Sequence, residues 1–306
     1  MINWEKKGLL IEYAQEGFTH ASHPCAIKFK NNIYLIAFSS RKKQQGHIFI
    51  TFAEILNNKI KIIKKPKLVL SPSKPGYFDG EGLLSCCLVK NKGNIYLYYS
   101  GWQNIDKNFW HCDTGRAIID PDKMTSSREF NGPIMGRDKY NPIFASITSV
   151  HVDEDGNNWK AWYNSGIKWE KKKNSWHPTY GIHYATSENG VDWKSKKGLI
   201  IPIKNKYEHS FGRPCVVFWE NQYQMWFSYR GTKNHTTYRM GYACSNDGIN
   251  WIRKDKNSKI TISKKGWDNK SVCYPYLISH KEKKFMLYCG NNYGKTGFGY
   301  AVGEYK

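Results

Sequence analysis

The 306-residue sequence predicts an all-β fold, a five-bladed β-propeller with four antiparallel strands in each blade. Three observations predict it. An apolar strand, a short turn and a second, aromatic-rich strand recur five times, beginning at Pro24, Ser85, Thr148, Pro214 and Pro275. The intervals of 61, 63, 66 and 61 residues suit one blade each and fit no helical repeat. A third strand follows in every copy, at 48–53, 115–118, 181–185, 240–243 and 298–301.

The partner strands, at 33–38, 95–99, 159–163, 223–227 and 285–288, carry the β-branched and aromatic residues that suit a pleated, buried surface. The third strands of the third and fourth copies run into near-identical turns, Ser187-Glu188-Asn189-Gly190-Val191-Asp192-Trp193 and Ser245-Asn246-Asp247-Gly248-Ile249-Asn250-Trp251. Asn-Gly and Asp-Gly accept positive φ and so fit tight hairpins, and the tryptophan after each is expected to anchor the outer strand. The fifth copy stops after its third strand. Trp4 to Ile11 reads like Trp193 to Ile201, an outer strand, so residues 3–12 are expected to pair with 296–303 and close the ring.

Length alone would suggest two domains, but a propeller grows by adding blades about one axis, and no linker or low-complexity tract divides the chain. Residues 1–306 are therefore read as one domain. Aromatics, 15% of the residues, supply packing surface between blades. No apolar run approaches the roughly 20 residues of a membrane span, and the N-terminus lacks an apolar signal core, so a cytoplasmic location is expected. None of the eight cysteines forms a C-x-x-C pair. Cys25, Cys86 and Cys215 occupy one slot of the repeated inner strand, where a small buried residue is wanted. Cys112, between His111 and Asp113, is weak evidence for a metal, and neither metal nor cofactor is expected.

The net charge of +22 sits mostly in lysine runs such as Lys64-Lys65, Lys171 to Lys173, Lys264-Lys265 and Lys281 to Lys284. These read as solvated loop edges, and no nucleic-acid-binding motif accompanies them, so no specific nucleic-acid partner is expected. The arginines are more selective. Arg41 and Arg230 follow second strands, Arg213 stands just before an inner strand and Arg239 just before a third strand. Strand ends at one mouth of a propeller converge on its channel, so Arg41, Arg213 and Arg230 are candidates to hold a carboxylate or phosphate, with pairing to structural carboxylates as the alternative.

Carboxylates recur at comparable offsets. Asp79 and Glu208 each lie six residues before an inner strand and Asp268 lies seven before, while Glu81 falls between Asp79 and its strand. Acids on loops at the channel suit general acid/base and glycosyl-transfer chemistry; single acids at such places cap turns. Asp79 leads as proton donor or base, with Asp268 and Glu208 after it. His23, before the first inner strand, is a candidate base near neutral pH or a donor to phosphate or sugar, with His20 in the same loop; a structural role is the alternative. Among the aromatics near strand ends (Trp102, Trp162, Tyr163, Trp169, Trp226, Tyr229 and Tyr274), most are expected to pack between blades. Trp102 and Trp169, each soon after a Ser-Gly step, are the better candidates to line a pocket.

The strand pairs resemble the five-bladed β-propeller glycosidases, glycoside hydrolase families 32, 43, 62, 68 and 130, and their relatives among bacterial surface-polysaccharide genes. Carrying the resemblance are Gly212-Arg213-Pro214-Cys215-Val216-Val217 with Met225 to Arg230, and Tyr274-Pro275-Tyr276 with Met286 to Gly299. It spans essentially the whole chain and implies the propeller fold and a carbohydrate substrate. The family 43 catalytic pattern departs: its Asp-Pro base position reads His23-Pro24, and its Glu-Gly-Pro acid position reads Gly212-Arg213-Pro214. The Trp-Met-Asn-Asp-Pro and Arg-Asp-Pro signatures of families 32 and 68 are absent. Family 130, which combines a carboxylic acid with a basic phosphate site, is similar in chemistry, but its motif does not map here and no residue is carried over.

The sequence thus points to a carbohydrate-active enzyme that cleaves or transfers a glycosidic bond on an anionic or phosphate-bearing sugar, glycoside hydrolase-like or phosphorylase-like. A glycosyltransferase using a nucleotide-activated sugar in polysaccharide synthesis and a non-catalytic sugar-binding propeller are the alternatives. Candidate catalytic residues are Asp79, Asp268, Glu208 and His23; candidate binding residues are Arg41, Glu81, Trp102, Arg213, Arg230, Tyr274 and Asn291.

Overall fold

A computed structural model describes residues 2–106, 109–172, 174–231 and 236–305. Lys173, the last of one lysine run, lies outside the described residues, while Lys64, Lys65, Lys264 and Lys265 are exposed. The strands form five antiparallel sheets, one per repeat, arranged as a propeller. In blade 2, Leu83–Asn91, Asn94–Asp106, Phe109–Asp120 and Thr125–Arg128 succeed one another from the axis outwards. Blade 1 divides its outer position between Lys59–Ile62 and Lys67–Leu70, which both pair with Gln45–Leu56.

Blade 5 takes its outer strand from the other end of the chain. Ile2–Ile11 runs antiparallel to Phe298–Tyr305, a register one or two residues from the expected 3–12 against 296–303. The ring is therefore closed by the N-terminal strand. Trp4 packs edge-on against Trp226 of blade 4 at 5.8 Å, and Ile2 is buried in the cluster between blades 4 and 5.

Five buried apolar clusters occupy the five gaps between neighbouring blades, so each blade is held by the hydrophobic effect on both faces. Tyr276 packs against four of them, as a side chain on the axis must. Polar ties reinforce the gaps. Gly190, at φ 72°, ends the blade 3 hairpin so that its carbonyl accepts the Tyr98 hydroxyl of blade 2 at 2.7 Å. Gly248, at φ 77°, makes the same turn in blade 4 and accepts Trp162 Nε1 of blade 3 at 2.7 Å. A Cβ at Gly190 would stand 2.7 Å from the Tyr98 hydroxyl and from the Trp159 ring. Trp251 anchors its outer strand as expected, through Nε1 to the Gly248 carbonyl at 3.0 Å.

All eight cysteines are free and buried. No helix among the described residues is long and apolar enough to cross a membrane.

Deleting residues 1–12 removes the outer strand of blade 5, exposes a sheet edge and empties the Trp4 position against Trp226. Calorimetry is expected to show a lower Tm and a broadened transition for the truncated protein. An unchanged melting profile would mean that the ring does not depend on this strand.

Candidate functional site

All five inner strands break register with their partners at the same place, where the inner strand carries one extra residue. In blades 1, 4 and 5 the bulge holds a non-glycine residue in the left-handed region directly before proline: His23 at φ 53°, Arg213 at φ 51° and Tyr274 at φ 57°. Such backbone costs about 1–3 kcal/mol per residue and is kept where the surroundings fix it. The preceding blade does so here. The Arg213 N–H donates to Asn164 Oδ1 at 2.9 Å, and the Tyr274 N–H donates to Ser228 Oγ at 2.7 Å. The bulge turns His23, Arg213 and Tyr274 towards the axis, where all three line one cavity of about 680 Å³.

The cavity has two unlike walls. Blades 4, 5 and 1 supply Arg213, Arg230, Tyr274, His23 and Arg41. Blades 2 and 3 supply Glu81, Trp102, Trp110, Trp176 and Tyr180, mostly from the long hairpins around residues 102–110 and 169–180. Trp102 stacks on Trp110 at 4.2 Å, Phe109 stacks on Trp176 at 4.8 Å, and Trp169 stands edge-on behind Trp110 at 5.2 Å.

Arg213 is 3% exposed and crosses the axis. Its terminal nitrogens donate to the carbonyls of Ser85 at 2.6 Å, Pro24 at 2.7 Å and Cys86 at 3.0 Å. Its Nε is buried with no partner, as is that of Arg230. Arg230 donates to the Tyr293 hydroxyl at 2.8 Å and lies over the Tyr238 ring. Among the described residues no carboxylate pairs with Arg41, Arg213 or Arg230. The arginines inside blades differ: Arg116 pairs with Glu129, Arg128 with Asp79, and Arg253 with Glu208 and Asp255, all within 2.9 Å. His23 stacks on Tyr274 at 4.0 Å, and its Nδ1 lies 3.1 Å from Ser22 Oγ. Burial first, then Arg213, Arg41 and His20, hold its pKa well below the usual histidine range, so the ring is neutral at pH 7. Burial and Arg41 likewise push His20 down to about 4.

Of the sequence candidates, His23, Arg41, Glu81, Trp102, Arg213, Arg230 and Tyr274 line this cavity. Asp79, Glu208, Asp268 and Asn291 do not, which corrects the order of preference among the acids. Asp79 Oδ2 accepts Arg128 Nε at 2.8 Å and the Tyr99 hydroxyl at 3.2 Å. Asp268 Oδ2 accepts Lys6 Nζ at 2.6 Å and the Tyr288 hydroxyl at 3.1 Å. Glu208 takes both terminal nitrogens of Arg253, at 2.9 and 3.0 Å. In each case the cation comes from the outer strand of the same blade, so the equal offsets mark a repeated bracket that ties the outer strand to the loop before the inner one. Blade 3 has a neutral version, in which Asn141 joins Tyr163 to Ser195 of the outer strand. Asn291 Oδ1 accepts the Lys270 and Ser271 N–H groups and so holds the loop before the fifth inner strand.

Trp162 and Trp226 are fully buried between blades, and Trp169 packs behind the cavity wall. Trp110, Trp176, Tyr180, Tyr238 and Tyr293 were not singled out from the sequence, although the Trp102 and Trp110 pair flanking one hairpin tip was the available signal. No cluster of three or more histidine, cysteine or acidic residues among the described ones is arranged to hold a metal ion.

Five four-stranded blades around one axis define the fold as a five-bladed β-propeller, and the solved structures that share it include glycoside hydrolases. Among solved structures, one called "Glycoside hydrolase" matches with a TM-score of 0.75 at 16% identity, covering 97% of this chain and 90% of its own. A thermostable family-43 glycoside hydrolase gives 0.63 at 13% identity, with 95% and 91% covered. An endo-arabinase from Bacteroides thetaiotaomicron VPI-5482 gives 0.62 at 12% identity, with 98% of each chain covered. At such identities the likeness is one of fold. No family model matches the chain. Uncharacterized protein MT1551 of Mycobacterium tuberculosis (strain CDC 1551 / Oshkosh) is 31% identical over 308 residues, covering 98% of this chain and 99% of the relative. Uncharacterized protein Rv1502 of strain ATCC 25618 / H37Rv is 30% identical with the same coverage. The chain belongs to the family of these two mycobacterial proteins.

The bracket reading has a pH signature. Burial opposes the Glu208 charge, but hydrogen bonds from Arg253 and Lys204 leave its pKa below the ordinary 4.5. A depressed folded pKa contributes stability that is complete above 4.5 and is lost as pH falls through the folded value. Arg253→Met strands a buried carboxylate and is expected to cost about 3–5 kcal/mol at pH 7 by denaturant unfolding. The gap from wild type should narrow below pH 4.5, where the stranded Glu208 is neutral; a pH-independent gap would remove the ion pair as its cause.

Proposed function

We propose that the protein is a carbohydrate-active enzyme whose axial cavity takes an anionic or phosphate-bearing sugar. The observation that carries this reading is the buried Arg213 with no carboxylate partner among the described residues, beside Arg230 and Arg41 in the same cavity. A guanidinium out of water costs several kcal/mol unless paired, and a ligand anion supplies the missing charge. The tryptophan wall opposite offers flat faces to the C–H surface of a sugar ring.

Glu81 is the one carboxylate lining the cavity among the described residues, and it accepts the Asn104 N–H, which fixes its orientation. Glycosidases that hydrolyse use two carboxyl groups. With one carboxyl and three arginines, the chemistry the cavity supports best is phosphorolysis. Protonated Glu81 gives its proton to the glycosidic oxygen as the bond from that oxygen to C1 breaks. A hydrogenphosphate oxygen held by the arginines bonds to C1 from the other face, and the proton on the new phosphate ester returns to Glu81. Neutral His23, which lines the same cavity, donates a hydrogen bond to the anion in this reading. A nucleotide-activated sugar is the second reading, favoured by the stacked Trp102 and Trp110 as a platform for a base.

Inorganic phosphate is expected to raise the Tm of the wild type, by up to about 2.7 kcal/mol of added stability at a hundredfold excess over Kd. Arg213→Lys should abolish the shift, and a response to nucleoside diphosphates alone would select the second reading. Absence of any anion-dependent shift would reject both. With a turned-over substrate, Glu81→Gln is expected to lower kcat by about 10²–10⁴-fold while phosphate binding persists. Asp79→Asn should instead lower stability through loss of the Arg128 pair; a stable Asp79→Asn protein without turnover would return Asp79 to the chemistry.

A further inference from the structure

A second cavity, of about 410 Å³, adjoins the first and shares Glu81 and Asn104 with it. Gln45, Tyr77, Gln103, Ile105 and His111 complete the part of its wall that matters here. Its chemistry is the opposite of its neighbour's. In a chain with 47 lysines and arginines, no cationic side chain among the described residues lines it, and apart from the shared Glu81 carboxylate its polar side chains are amides, a phenol and an imidazole. His111 Nδ1 is buried without a partner, and Nε2 lies 3.8 Å from Asp113 Oδ2, too far for a hydrogen bond. Burial, then Arg137, lowers the His111 pKa against the pull of Glu81, so the ring carries one donor and one acceptor at neutral pH. Gln103 Nε2 donates to the Tyr77 carbonyl at 2.9 Å and thereby ties the loop of one wall to the hairpin of the other.

We infer that this second cavity binds an uncharged sugar unit joined to the anionic one, so that the ligand is an oligosaccharide whose linkage passes Glu81. The inference rests on the anion reading of the first cavity and adds the size and the neutral half of the substrate. Amide and imidazole groups that each both donate and accept suit sugar hydroxyls, which do the same, and exposed Tyr77 offers a ring face. Glu81, held at the boundary by the Asn104 N–H, stands where the linkage between the two units would cross.

The test uses arrays of oligosaccharides bearing phosphate or uronic carboxylate, each beside its monosaccharide counterpart, with inorganic phosphate titrated separately. The wild type should retain the longer members about tenfold more tightly than the monosaccharides. Ile105→Trp, at a position 52% exposed, fills the second cavity and should erase that advantage while phosphate affinity stays within twofold. Equal retention of long and short members, or an advantage that survives Ile105→Trp, overturns the inference, as does a blank array from a protein that binds phosphate. Failure to bind phosphate or any anionic sugar overturns the reading of the first cavity, and this inference with it.

Discussion

The structure depends on how five inner strands crowd around one axis. Each meets the crowding with an extra residue, and each bulge leaves a backbone N–H that must be paired beside the channel. The pairing comes from the neighbouring blade. Ser39 serves Ser85, Thr114 serves Ile147, Asn164 serves Arg213 and Ser228 serves Tyr274. The Cys289 thiol meets the His23 backbone at the closing gap. Blade packing and site geometry are therefore one constraint: the contact that locks neighbouring blades also holds the left-handed residues whose side chains form the cationic wall.

That coupling explains how a buried cation survives without a protein carboxylate. Arg213 spends its terminal nitrogens on carbonyls of blades 1 and 2, so part of its cost is offset by joining three blades across the axis. The chain has 25 acids for 47 lysines and arginines, and Asp79, Glu208 and Asp268, on the loops that lead into inner strands, are committed to brackets within blades. Among the described residues the positive charge of the axial cavity therefore exceeds its negative charge. An exposed lysine cluster would be screened by salt; a buried guanidinium is screened much less, which makes the axial arginines the informative cations in a chain this basic.

The fold was legible because strand alternation and hairpin turns are local signals repeated five times. The acids were harder to read. Asp79, Glu208 and Asp268 share an offset because they repeat a structural role, and a shared offset cannot by itself separate a bracket from a catalytic ring. The discriminating fact was their partners, Arg128, Arg253 and Lys6, which lie on outer strands and, for Lys6, at the far end of the chain. Arg41, Arg213 and Arg230 do line one cavity, because the ends of second strands and the step before an inner strand meet at the same mouth of the propeller. Trp110, Trp176 and Tyr180 escaped because they lie on hairpin extensions specific to blades 2 and 3, where the repeat carries no information.

The two walls therefore have different origins and different mechanical character. The cationic wall is part of the repeat and is held by bulges, prolines and bonds between blades. The aromatic wall and the second cavity stand on hairpins that rise from the repeat and pack mainly on one another, through Trp102, Trp110, Phe109 and Trp176. A cationic wall built from the repeat beside an aromatic wall built on separate hairpins lets the hairpins vary while the cationic wall stays intact. Glu81 sits on the seam, bonded to Asn104 of the hairpin and flanked by Gly82 at φ 157° where the chain enters the inner strand. Among the described residues Glu81 is the one carboxylate of the axial cavity, and its place on the seam, rather than burial, sets it apart from Asp79, Glu208 and Asp268, which their brackets hold within blades.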